Sequence, residues 1–146
     1  MGYFSSLDVS ASGMSAQRMR MDLISQNIAN ANTTRTSDGT PYRRQALLLG
    51  TNTNNVFSNY LSGASKDALS DGKVKIQGVI EDQSDFKRVY EPDNPEADED
   101  GYVLYPNVDI VTEMVDMISA SRSYEANVTA STASKNMAMQ ALSIGK

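Results

Sequence analysis

The residue run best suited to chemistry in this 146-residue chain is Glu96-Ala97-Asp98-Glu99-Asp100-Gly101. It sets acids at positions 1, 3 and 5 of a calcium-type loop with glycine at position 6. The pattern fails where ligation is most demanding. Position 1 is Glu, position 12 is Asn107 rather than a bidentate Glu, and no entry helix precedes the run. The same acids could supply the paired carboxylates of a glycosidase, but only Tyr90, Tyr102 and Tyr105 stand near to wall a pocket. Both sites therefore give way to a solvated acidic turn, and the sequence implies no cofactor and no metal. With no His and no Cys, Ser-His and Cys-His nucleophiles, thiolate sites and ordinary zinc sites are excluded. The chain does not read as an enzyme.

Basic residues offer no better prospect. Arg43-Arg44 and the pair Arg18 and Arg20 are too few for a nucleic-acid footprint, and the net charge of −5 opposes one. Gly2 with Ser6 matches the short myristoylation pattern, weak evidence by itself. No apolar run reaches the roughly 20 residues of a membrane span, so no direct membrane insertion is expected. The start, Met1 to Asp8, has neither the basic nor the apolar region of a secretory signal.

The elements that would carry any site divide the chain by texture. Residues 81–116 hold twelve acids and two bases, a local charge of −10 that leaves +5 elsewhere. The ends are periodic and charge-poor. Leu7, Met14, Met21 and Ile28 repeat every seven residues, with Ala11, Ile24 and Ala31 between, predicting a helix over about 7–31 with a coiled-coil stripe. Gly13 is its one internal weak point, and the Asn-rich run 27–34 ends it. A second helix is predicted from Asn107 or Asp109, either of which could cap it, to Ile144 before Gly145. Ile110, Met114, Met117, Ser121, Tyr124, Val128, Ser131, Ala138 and Leu142 form one stripe. Ala126, Ala130, Ala133, Met137, Ala141 and Ile144 form another. About 36 helical residues span roughly 54 Å, beyond the roughly 38 Å across a compact globule of this length, so an elongated molecule is expected.

Between the helices, Tyr42–Leu49 and Val74–Ile80 read as strands, and Phe86–Tyr90 with Tyr102–Tyr105 as a hairpin around residues 92–101. The polar run 50–73 reads as a flexible loop. The predicted class is α+β: an antiparallel helical hairpin of residues 1–34 and 107–146 with a β-rich, loop-rich region 35–106. One partner helix cannot cover both faces of the second helix, and an uncovered apolar face in water marks a protein–protein interface. Open head-to-tail packing of such elements builds filaments or tubes.

Particular motifs then carry a resemblance. Asn27-Ile28-Ala29-Asn30-Ala31-Asn32-Thr33-Thr34 and residues 113–127, with Ser121-Arg122-Ser123-Tyr124-Glu125-Ala126-Asn127, resemble the paired end motifs of bacterial flagellar axial proteins, the rod and hook subunits. Pro41-Tyr42-Arg43-Arg44-Gln45, Val89-Tyr90-Glu91-Pro92, Gly101-Tyr102-Val103 and Pro106-Asn107-Val108 are similar to the proximal-rod members. The Gly-aromatic pair typical after the first motif in distal rod and hook subunits is absent. The resemblance implies a structural subunit of the hollow, torque-transmitting rod crossing the periplasm. Such subunits leave through the flagellar type III export apparatus without a cleaved signal and polymerise with copies and other rod proteins through their terminal helices. It also implies a helix seam of Leu7, Met14, Met21, Ile24 and Ile28 with Ile110, Met114, Met117, Tyr124, Val128, Ala138 and Leu142. Asn27, Asn30 and Thr34 would fix the turn leaving the first helix, and Arg122, Tyr124, Glu125 and Asn127 would meet neighbouring subunits. Another axial subunit, or a soluble helical adaptor or secretion chaperone, is the alternative.

Overall fold

The computed structural model describes residues 3–51 and 72–144. The order is α1 (Tyr3–Ala29), β1 (Gln45–Thr51), β2 (Val74–Glu81), β3 (Lys87–Tyr90), β4 (Tyr102–Tyr105) and α2 (Ile110–Ile144). This is the α+β class expected: two long helices with a small insert of two two-stranded sheets between them. Gly2, Gly145 and nearly all of the expected 50–73 loop lie outside the described residues.

α1 begins four residues before the expected Leu7. Its serines are accommodated by bonding back into the helix, Ser10 Oγ to the Ser6 carbonyl at 3.1 Å and Ser12 Oγ to that of Val9 at 2.8 Å. It ends at Ala29, where the Asn30 side chain takes the Gln26 carbonyl and the Thr33 N–H closes a turn on the Asn30 carbonyl. β1 starts at Gln45, later than Tyr42, because the preceding backbone is held otherwise. The Tyr42 N–H bonds the Thr33 carbonyl, and the Arg44 N–H bonds Asn107 Oδ1. Of the two candidate caps for α2, Asp109 takes the role. Its carbonyl accepts the Glu113 N–H at 2.9 Å and its carboxylate the Thr112 hydroxyl at 2.6 Å. Asn107 instead ties Arg44 to the Asp82–Ser84 turn.

β3 and β4 pair antiparallel, Lys87 with Tyr105 through Tyr90 with Tyr102. Their connection closes at Gly101, whose φ of +78° and tight approach to the Tyr90 ring exclude a side chain. Of the acids weighed as a calcium loop, Asp98 closes the turn through its main-chain carbonyl, which accepts the Gly101 N–H, and the Glu96 carboxylate accepts the Thr34 hydroxyl.

The chain forms two compact units. One comprises residues 1–19, 48–78 and 120–146, the other residues 20–47 and 79–119. Among the described residues, those buried in the first unit are small: Ser10, Ala16 and Ala120. The second buries Leu23, Ile24, Ala31, Val103, Pro106 and Val108, together with Asn27 and Glu113.

Candidate functional site

Two features of the surface and core stand out: a buried polar clasp and a bare apolar helix row. The clasp lies in the unit of residues 20–47 and 79–119. Asn27, on the last turn of α1, is 1% exposed, as is Glu113 on the first turn of α2. The Asn27 amide donates to Glu113 Oε2 at 3.0 Å and to the Gln45 carbonyl at 2.9 Å. Its Oδ1 accepts the Gln45 N–H and the Tyr42 hydroxyl, both at 2.9 Å. One side chain therefore uses both donors and both acceptor sites, which is what burial demands of an amide. Arg44 completes the clasp, its Nε 2.6 Å from Glu113 Oε1 and its guanidinium 3.5 Å from Asp116.

An ion pair of this kind is costly to break, because the surviving partner stays buried without compensation. Burial, with the charges of Glu113 and Glu81 behind it, pushes the Tyr42 phenol above its usual range, so it remains the neutral donor that Asn27 needs. A cleft of about 250 Å³ opens beside the clasp, lined by Arg20, Leu23, Ile24 and Leu47, but Arg44 already engages both its carboxylates. Arg43 faces the other way, over the Phe86 ring at 4.4 Å and onto the Asp82 carbonyl at 3.2 Å. Arg43 and Arg44, two of the four arginines considered for nucleic acid, are thus structural fasteners.

The helix faces differ from the expected seam. Along α2 a covered row runs through Glu113, Met117, Ala120, Tyr124, Asn127, Ser131, Ser134 and Ala138, spaced alternately by four and three, with Asp116, Ser121 and Ser123 half-buried beside it. That is a coiled-coil grid with mainly small and polar occupants. Of the expected seam, Ile24 is buried, and Leu7, Met14, Met21, Ile28, Met117, Tyr124 and Ala138 are half-buried. Ile110, Met114, Val128 and Leu142 are exposed, Leu142 by 76%. The physical reason is phase. Glu113 is drawn inward by Arg44 and Asn27, turning its apolar neighbours outward. Ile110, Val111, Met114, Val115 and Ile118 consequently form a bare ridge at helical spacing.

Where α2 passes α1 in the unit of residues 1–19, 48–78 and 120–146, Asn127 fills the space a side chain at Gly13 would need, 3.0 Å from its ideal Cβ. Asn127 also bonds the Ser123 carbonyl, and Arg122 and Glu125 stand exposed. Asn30 and Thr34 are half-buried on the turn, held through Gln26, Thr33 and Glu96. Sequence reasoning held Glu113 as the start of the motif 113–127, Arg44 as half of a weak basic pair and Asn107 as a candidate cap, and did not bring them together. Its one available signal was the four-three spacing from Glu113 to Met117 and Ala120.

A locked corner and a bare helix ridge are the marks of an assembly subunit, and comparison with known proteins gives the class. A family model described as flagella basal body rod protein matches residues 7–35. Another, the flagellar basal body rod FlgEFG protein C-terminal model, matches residues 99–144. Flagellar basal-body rod protein FlgC of Bacillus subtilis (strain 168) is 47% identical over 150 residues, covering 98% of each chain. The FlgC of Borreliella burgdorferi is 45% identical, covering 99% of this chain and 98% of its own. That of Salmonella typhimurium (strain LT2) is 41% identical over 139 residues, covering 95% of each. The chain belongs to the FlgC family of flagellar basal-body rod proteins. It is a structural subunit of the flagellar basal-body rod, working beside other rod components.

Proposed function

We propose that the chain enters the rod through its terminal helices, its bare α2 row packing against neighbouring subunits, copies or other rod proteins, in a hollow drive shaft. The ridge of Ile110, Val111, Met114, Val115 and Ile118 carries this reading, because five apolar side chains on one helix face are left to water. Each would contribute about 1.5–3 kcal/mol on full burial. On this reading residues 1–34 and 107–146 form the inner, helical part of the shaft and residues 35–106 its outer part. Asn27, Asn30 and Thr34 set the exit from α1, while Arg122, Tyr124, Glu125 and Asn127 face neighbours. The subunit crosses the inner membrane through the type III export apparatus without a cleaved signal and takes its place where the rod spans the periplasm. Its role is mechanical, not catalytic, since the clasp's carboxylates are engaged in holding the corner.

Met114→Asp tests it. Met114 is exposed in the chain, so the fold survives, while a charge placed in a desolvated contact stops incorporation. Basal bodies lacking a rod, from a variant whose circular dichroism is unchanged, are the expected result. Normal swimming by that variant contradicts the reading.

A further inference from the structure

We infer that α1 of one copy packs on α2 of the next through a four-charge match, Arg18 against Glu125 and Asp22 against Arg122, with the two helices running in opposite directions. The inference rests on the assembly reading above and names the contact that sets its register.

These helices are poor in charge, so the charges they carry are informative. Between Asp116 and Lys135, α2 has only Arg122 and Glu125. All four side chains are exposed, and among the described residues none has a hydrogen bond or an ion pair. The match is therefore not made within the chain, although both halves of it are present there. A surface whose complement lies elsewhere on the same molecule pairs head to tail and propagates along an assembly.

The order of the charges fixes the direction. On the exposed face of α1 the order is positive at Arg18 then negative at Asp22, about 6 Å of helix, with Arg20 half-buried on the side of the clasp cleft, and on α2 it is positive then negative over three residues, about 4.5 Å. Parallel helices would set like charge against like. Opposed helices pair both doublets with little axial mismatch. At the same register the exposed Ser25 of α1 comes opposite the exposed Ile118 of α2, a small residue beneath a large apolar one. Exposed ion pairs add little affinity in water. Charges set into an otherwise apolar or small-residue helix seam instead select partner, direction and register.

The test reverses each doublet in the full chain. Arg122→Glu with Glu125→Arg, or Arg18→Asp with Asp22→Arg, should each reduce rod completion and swimming by about tenfold or more, because like charges then face one another. Combining all four substitutions should restore swimming. Doublet variants that swim normally overturn the match, as does a combined variant as defective as its parents. If the doublets swim while Met114→Asp does not, the assembly reading stands and this contact falls. A second measurement avoids dependence on charge variants. The chain has no cysteine, so Ser25→Cys and Ile118→Cys chains made in the same cell can be joined by a short bis-maleimide in isolated basal bodies. A product of twice the chain mass that requires both variants supports the contact, and its absence overturns it.

Discussion

The two compact units solve one problem with opposite means. The unit of residues 20–47 and 79–119 is tied by a polar clasp: Asn27, Glu113 and Arg44 join both helices to the start of β1, beside buried Leu23, Ile24, Val103 and Val108. Among its described residues, the unit of residues 1–19, 48–78 and 120–146 buries Ser10, Ala16 and Ala120, and leaves Val128, Met137, Met139, Leu142 and Ile144 exposed. An ion pair there, Lys73 with Asp8 at 3.0 Å, lies at the surface, where such pairs contribute little. The difference teaches that the polar clasp is satisfied within the chain, whereas α2 leaves apolar residues exposed in both units, Ile110 to Ile118 in one and Val128 to Ile144 in the other. On the assembly reading proposed above, both rows are left for neighbours.

The strongest way to break this contrast is Glu113→Ala. It strands Arg44 and the Asn27 amide, and should cost about 3–5 kcal/mol of the stability measured by denaturant unfolding. The signals of residues 20–47 should be lost first. Gly13→Leu attacks the other unit, driving a side chain into the space Asn127 occupies. Overpacking there should cost about 1–3 kcal/mol, read as earlier melting of helix signal with the clasp residues unaffected. The smallest effect is expected at the α2 cap. The Thr112 hydroxyl, aided by the Thr112 N–H and the Lys87 charge, holds the Asp109 carboxyl below the usual range. A carboxyl depressed in the folded state stabilises above its unfolded pKa, and that contribution is lost as pH falls below about 4. Asp109→Ala should therefore flatten the acid limb of a pH–stability curve measured by thermal melting, and lower helix content slightly at neutral pH.

Much of this contrast was legible in the sequence, but not its phase. The hairpin at Tyr102–Tyr105, the two helices and the need for an outside partner followed from periodicity, glycine placement and missing charge. Which row of α2 faces inward did not follow. Apolar type predicts that Ile110, Met114, Val128 and Leu142 meet something, yet it is silent on whether that is the same chain or another. The answer depended on Arg44, 69 residues before Glu113, and such a long-range ion pair leaves no local periodic trace. Gly13 was read as a weak point because its partner, Asn127, lies on the other helix. Asn27, expected to fix the turn leaving the first helix, sits on the last turn of α1, and its contacts with Gln45 and Glu113 needed the fold.

The most direct test of the central claim is amide hydrogen exchange of α2 in the dilute chain and in isolated basal bodies. If residues 128–144 are completed by neighbours, their amides exchange rapidly in the dilute chain, while those around Asn27 and Glu113 are protected, and become protected in the assembled rod. Strong protection of residues 128–144 in the dilute chain, equal to that at the clasp, would contradict the account.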